Sequence, residues 1–348
     1  MVKFYRILCG IEFGESNHKK VYDCDKKWIK SCYNCGSFSV IRWGIRNEKQ
    51  RYRCKSCGLM FFWRNDHKKI DNRFGWFVKW IMDRRVYRTL ASEMQMSGKS
   101  ISRLFKIYLA KAPQIVVKSK SKVHLLIDGS YLPNGLCLIL YYDHDIRYVQ
   151  LYRTAKQEKF REIYQDLKAL KVLGVEVYSV TCDGHKSILK AVAKVYPNAL
   201  IQRCLVHVKR QSRAYLSSKP KLQASKELLS LSQQLTYIKT REQCSWWLLS
   251  LHNWYQTHMD TLIEESINPQ TGKYWFTHDG LHKAYTLIYQ AMPHLFTYLD
   301  DLEIPSTTNR LESYFKHLKA KLLLHSGLRL EAKRNFIKWY LHFKNNPK

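Results

Sequence analysis

Residues 123–184 read VHLLIDGSYLPNGLCLILYYDHDIRYVQLYRTAKQEKFREIYQDLKALKVLGVEVYSVTCDG, and the pattern within this stretch decides the fold. Three short apolar runs, VHLLIDGS, LCLILYYD and RYVQLYRT, are joined by turns short enough for antiparallel hairpins. The segment QEKFREIYQDLKALKVLG then changes to helical spacing, and VEVYSVTCDG returns to the pattern of a buried strand. A helix between the third and fourth strands calls for a parallel crossover. Asp128 and Asp183 each end a buried strand and each precede a glycine, which puts them at the sheet edge where open α/β sheets bind ligands. If the fourth strand returns beside the first, two carboxylates meet there. Such a like-charged pair is tolerated chiefly when a cation lies between its members, so the pattern predicts a magnesium site.

Outward from this core, 348 residues allow two or three domains. A hydrophobic fraction of 45% with 14% aromatics excludes disorder over the whole length. No apolar run reaches the ~18 residues of a membrane span. The stretch MVKFYRILCGIEFG is too short and too interrupted by charge for a secretory signal, so the expected location is cytoplasmic and nucleoid-associated. Lys+Arg 59 against Asp+Glu 28 gives +31, and the excess is uneven. Residues 1–122 hold 28 basic and 9 acidic residues, 123–315 hold 22 and 18, and 316–348 hold 9 and 1. Two basic ends around a near-neutral centre predict a polyanionic partner, nucleic acid above all.

Cys32, Cys35, Cys54 and Cys57 form two CxxC pairs with 18 residues between them, the spacing of a zinc ribbon holding one structural zinc. Four thiolates close a tetrahedral site, so that ion would hold the fold and do no chemistry. Between the pairs, Arg42, Trp43, Arg51 and Arg53 mix cations with aromatics in a way suited to phosphate contact and base stacking. Cys9, His18 and Cys24 fit no metal spacing. Residues 73–110 then carry helical periodicity in three segments, with a turn at Met96 to Gly98, an order that resembles a helix-turn-helix. In that motif Lys99, Ser100, Ser102, Arg103 and Lys106 would face the major groove while Ile101, Leu104 and Phe105 pack inward.

Further along, IPSTTNRLESYFKHLKAKL reads as a capped amphipathic helix with Leu311, Tyr314, Phe315 and Leu318 on its buried stripe and Glu312 beside it. Four short motifs, LLIDGS with Asp128, SVTCDGH with Asp183, RCLVH with Cys204 and His207, and TTNRLES with Glu312, together resemble the Mutator-like DDE transposases, which include bacterial insertion-sequence enzymes. The resemblance covers about residues 123–340. It implies an RNase H-like mixed-sheet α/β catalytic domain interrupted by an α-helical insertion, preceded by the zinc ribbon and helix-turn-helix, hence a multidomain α/β chain.

The corresponding division is 1–66 zinc ribbon, 67–112 helix-turn-helix, 113–122 basic linker and 123–208 first part of the catalytic core. Residues 209–300 are then the insertion, and 301–348 the second part of the core with the Glu-bearing helix and a basic tail. The resemblance implies that Asp128, Asp183 and Glu312 hold two Mg2+ or Mn2+ ions for cleavage and strand transfer of double-stranded DNA, both transposon ends and target. It also implies at least a homodimer on DNA. Cys204 and His207 are expected to pack and orient the site rather than act on substrate, and His185 is a surface histidine near it. Two competing readings are a non-catalytic DNA-binding regulator derived from a transposase and a repair nuclease or resolvase on the same core.

Overall fold

A computed structural model of the chain describes residues 32–347 apart from 33, 36, 63–65 and 133–134, with no side-chain description for 66–72. Cys9, His18 and Cys24 lie outside the described residues. The chain divides into two compact units, Met1–Pro113 and Gln114–Lys348.

In the first unit, β1 (Val40–Arg46), β2 (Lys49–Cys54) and β3 (Met60–Phe62) form an antiparallel sheet in that order. Arg46 pairs with Lys49 across a two-residue turn in which Asn47 and Glu48 both take positive φ, the backbone that matches a hairpin's twist. Tyr52 and Phe61 stack beside Val40 as a small core, together with Cys32 and Cys54. The sulfurs of Cys32, Cys35, Cys54 and Cys57 all lie within 4.8 Å of one another. This four-cysteine group could hold zinc.

Three helices follow, α1 (Asp66–Met82), α2 (Tyr87–Met94) and α3 (Gly98–Ala110). Gln95 enters the left-handed region and ends α2, and Ser97 caps α3 by accepting from the Ser100 amide at 3.2 Å. Phe77, Trp80, Ile81, Leu90, Ile101, Phe105 and Leu109 make the core of these helices. Lys99, Arg103 and Lys106 are exposed along α3, with Ser100 and Ser102 half-buried beside them.

The second unit is mixed α/β. Its sheet comprises β4 (Lys120–Leu132), β5 (Leu136–Asp143), β6 (Tyr148–Ala155), β7 (Val175–Cys182) and β8 (Leu200–Arg203), in the order β6-β5-β4-β7-β8. β4–β5 and β5–β6 are antiparallel, and β4–β7 and β7–β8 are parallel. The fourth strand of the sequence reading thus returns beside the first. β8 was not foreseen, because four residues between a helix and Cys204 leave too short a run for a strand pattern. Helices α4 (Phe160–Val172) and α5 (Lys186–Val195) pack Ile163, Leu167, Ile188 and Val192 against Leu125, Ile127, Ile139 and Val180 of the sheet.

A second core belongs to α6 (Leu205–Leu216), α7 (Gln223–Gln234), α8 (Arg241–Ile263) and α9 (Asp279–Ala291). The β9 (Glu265–Ile267) and β10 (Tyr274–Phe276) hairpin lies between α8 and α9 in sequence. Trp247 and Trp254 are buried and donate their indole N–H to the Leu231 and Ala224 carbonyls at 2.9 and 3.0 Å, whereas Trp246 is 70% exposed. Finally α10 (Asn309–Leu324) and α11 (Leu330–Asn345) close the chain, and Asn345 ties the latter to β6 through two bonds with Val149.

Replacing Cys54, whose side chain is fully buried among the other sulfurs, by Ser is expected to abolish zinc retention by the purified chain, at a cost on the order of 10 kcal/mol in ion binding. Elemental analysis reads the result, and unchanged zinc content in the variant would mean that the four sulfurs do not form the site.

Candidate active site

The last register pair of the β4–β7 ladder is Ile127 with Cys182, so Asp128 and Asp183 are the next residues on adjacent parallel strands. Neighbouring strands run about 4.8 Å apart, which puts the two carboxyl groups side by side at one sheet edge. Asp128 is only 5% exposed; its Oδ1 accepts from the Gly129 amide at 2.9 Å. Asp183 is half-buried, and its Oδ1 accepts from the His185 amide at 2.8 Å. His185 itself is exposed and caps α5.

The glycines beside the aspartates have different reasons. Gly184 takes φ +82, a conformation that strains any side chain. Gly129 has ordinary backbone geometry, but a Cβ there would overlap the carboxylate of Glu158. Glu158 therefore sits against Asp128's neighbour, with the Cys137 thiol 3.9 Å from its Oε1. The sequence reading passed over this fourth acid, which lies in the polar lead-in to α4; the only signal was its position just before a crossover helix on the edge that the aspartates occupy.

The segment before α10 is fixed to the same edge by three backbone anchors. Thr181 Oγ1 donates to the Pro305 carbonyl at 2.6 Å, the Leu205 amide donates to the Ser306 carbonyl at 3.1 Å, and the Thr308 amide donates to Cys204 Sγ at 3.3 Å. The buried Thr308 hydroxyl lies 3.5 Å from Asp128 Oδ2, 3.4 Å from Cys204 Sγ and 3.4 Å from His207 Nδ1. One turn into α10, Glu312 lies 3.9 Å from His207 Nε2 and forms a two-pronged pair with Arg210, both contacts at 3.0 Å. Arg210 is the second residue that the sequence reading missed. It stands three residues after His207 on α6, on the same helical face, which is a legible spacing once Glu312 is known to face α6.

The geometry brings Asp128 and Asp183 together on adjacent strands, but Asp128 does not end its strand as the sequence pattern predicts: β4 runs on to Leu132 and pairs Asp128 with Leu140 of β5, and only Asp183 lies just past its strand. Thr308 and His207 link Asp128 to Glu312. This arrangement does not draw the three carboxylates into one tight cluster. Among the described residues, the four cysteines are the one group of three or more metal-ligating side chains whose ligand atoms all lie within 4.8 Å of one another. Cys204 and His207 sit at the centre of the link. The DNA-facing residues expected at Arg42, Trp43 and Arg53 are exposed and Arg51 is half-buried, with the Arg53 guanidinium 4.7 Å from the Trp43 ring centre.

Charge is crowded here. Burial, with the nearby Asp183 and Glu158 carboxylates adding to it against the opposing pull of His207, pushes Asp128 up to about 7. Burial likewise raises Glu158, and Asp183 adds to it. His207 moves the other way from what burial alone would do: its hydrogen bond to Cys204, then the charges of Cys204, Asp128 and Asp183, lift it to about 9. Burial would raise the Cys204 thiol, but the His207 and Thr308 hydrogen bonds hold it below its usual value. The donors are hard carboxylate oxygens whose joint ionisation is unfavourable without a cation, so they suit magnesium or manganese.

The fold presents a partly buried carboxylate edge on a mixed α/β sheet in a strongly basic chain, and such a net charge favours a polyanionic partner. Residues 143–270 match the family model described as Transposase, Mutator family, so the likeness to Mutator-like transposases holds over that segment. The match spans Asp183, Cys204 and His207 and stops short of Asp128 and Glu312. No curated protein matches the chain.

Asp128 has a raised value in the folded state, so the folded chain binds a proton between about pH 4 and 7 that the unfolded chain releases, and stability falls as pH rises through that window. The cost of the ionised form is on the order of 4 kcal/mol. Asp128→Asn is therefore expected to melt several degrees above the parent at pH 8 without added divalent cation, and no higher at pH 4. Parallel melting curves at both pH values would show that the crowding is absent.

Proposed function

We propose that the chain is a DDE transposase of a bacterial insertion sequence, binding the element's terminal inverted repeats and catalysing DNA cleavage and strand transfer on an RNase H-like core. The observation that carries this reading is the convergence of Asp128, Thr308, His207 and Glu312 through successive contacts of 3.4–3.9 Å, from positions up to 184 residues apart, at the edge that also holds Asp183. The family match between them supports it.

Asp128, Asp183 and Glu312 are the residues that would hold two divalent cations. When bound, such cations neutralise charge on the attacking and leaving oxygens of the phosphodiester. Asp128 supplies the most buried of the three carboxylates. Thr308 orients that carboxylate and the Cys204–His207 pair at once. His207, protonated at neutral pH by its bond to Cys204, adds a positive charge between Asp128 and Glu312. Arg210, exposed over much of its length, holds Glu312 in place and can transfer its guanidinium to a phosphate.

The remaining parts of the chain fit around this centre. The four-cysteine ribbon, with Arg42, Trp43, Arg51 and Arg53, and α3, with Lys99, Ser100, Ser102, Arg103 and Lys106, are the end-binding surfaces, α2 and α3 forming the helix-turn-helix. Residues 209–300, from within α6 through α9, are the insertion, and the basic residues of α10 and α11 run along DNA. Two ends must be joined in one complex, so the working unit is a dimer or larger.

The competing reading is a DNA-binding chain that does not cut. The Arg210–Glu312 pair favours it, since that pair engages both oxygens of the third acid. Magnesium-dependent formation of 3′-hydroxyl ends and strand-transfer products on DNA carrying the element's ends separates the two. Asp128→Asn, Asp183→Asn and Glu312→Gln are each expected to lower the rate roughly 10²-fold or more with DNA affinity retained. Tight binding with no cleavage by the parent chain would leave only the regulator, and cleavage without joining would point to a nuclease.

A further inference from the structure

On the flank of α10 turned toward β5 and α11, a cavity of about 290 Å3 opens between Tyr142, Arg147, Arg310, Tyr314, Tyr340 and Lys344. Among the described residues no carboxylate lines it. Three cations therefore converge on one hollow without a counter-charge. The aromatic rings are arranged as its walls: Tyr142 meets Tyr314 edge-on at 5.6 Å, and the Lys344 ammonium lies 6.0 Å from the Tyr314 ring and 5.9 Å from the Tyr340 ring. Tyr340 and Tyr142 are buried and back the hollow, which leaves the half-buried Tyr314 as the ring it exposes. Burial pushes Tyr314 up to about 12, so its hydroxyl remains a neutral donor throughout the physiological range.

From these features we infer that the cavity is a binding site for a single unpaired nucleotide of a DNA strand. Its phosphate is held by Arg147, Arg310 and Lys344, and its base or sugar lies against the half-buried ring of Tyr314. Arginine and lysine without a carboxylate select an anion, and aromatic walls select one that carries a ring. A base within a duplex stack cannot reach such walls, which is why the occupant is unpaired. The site is distinct from the carboxylate edge: Glu312, on the same helix, is turned instead toward His207 and Arg210 of α6. The proposal rests on the reading of the chain as a DNA-handling protein, and it deepens that reading by naming where a strand is gripped beside the site of cleavage.

The test measures binding by the full-length chain to a fluorescent single-stranded oligonucleotide and to the corresponding blunt duplex, without added magnesium, so that no cleavage intervenes. Arg147→Ala with Arg310→Ala is expected to weaken single-strand binding at least tenfold and to flatten the slope of its log–log salt dependence by about 0.7, the value for one single-strand phosphate no longer neutralised. Lys221→Ala with Lys226→Ala, the same charge change at exposed residues at the start of α7, is expected to stay within twofold of the parent. Tyr314→Ala is expected to weaken single-strand binding severalfold and Tyr314→Phe, which keeps the ring, to retain most of it, whereas a purely structural Tyr314 would lose melting temperature and leave affinity alone. A halogenated uracil in the strand is expected to crosslink to Tyr314 on irradiation.

Equal losses in the two double variants, or equal losses on single strand and duplex, would overturn the proposal in favour of a general basic surface. Competition by inorganic phosphate as strong as that by thymidine monophosphate would reduce the cavity to an anion site and overturn it as well. If the parent chain never cleaves DNA while the cavity variants still lose single-strand binding, the nucleotide site stands and the transposase reading fails. If cleavage occurs and the variants bind as the parent does, the reverse holds.

Discussion

The parallel pairing of β4 with β7 is the constraint on which the site depends. It places Asp128, inside β4, next to Asp183, just past β7, in a setting that opposes the ionisation of Asp128. The surrounding elements respond to it. His207 is kept positive by the Cys204 sulfur, Thr308 bridges from α10 to Asp128, and Arg210 attends Glu312. A site built this way is poised rather than relaxed: its carboxylates are held apart from full neutralisation, and a cation gains affinity from the same crowding that costs the fold stability.

Much of this was legible in residues 123–184, because alternating apolar runs, short turns and one amphipathic helix admit few topologies. The two antiparallel hairpins and the parallel crossover follow from that stretch, whereas the return of the fourth strand beside the first, which gives Asp128 and Asp183 a shared edge, is left open by it and is a property of the folded sheet. The four-cysteine cluster was legible for a different reason, since a CxxC pair can present two sulfurs to one point from local geometry alone. Glu312 was legible only through resemblance. Its helix reaches the aspartates by way of the Thr181–Pro305, Leu205–Ser306 and Cys204–Thr308 bonds, which join segments more than a hundred residues apart and leave no periodic trace.

Glu158 and Arg210 were not legible for the complementary reason. Each is a charged residue in a segment where charged residues are common, and only the partner across space distinguishes it from a solvated neighbour. The same holds for the tryptophans of α8, where the adjacent Trp246 and Trp247 have opposite fates, one facing outward and one donating to Leu231 in the core. Helical phase decides which is which, and a pair of identical residues gives no clue to the phase.

The contact between Gly129 and Glu158 has a consequence for how such a site can be altered. The atoms that a methyl group at position 129 would meet first are the far end of a flexible side chain, not backbone, so the sheet need not shift to admit it. An alanine there would swing the Glu158 carboxylate outward and thin the negative charge around Asp128 while leaving every strand in register. Position 129 thus separates acidity from architecture: one carbon atom can retune the electrostatic environment of the edge by displacing Glu158 without replacing any of the acids that compose it.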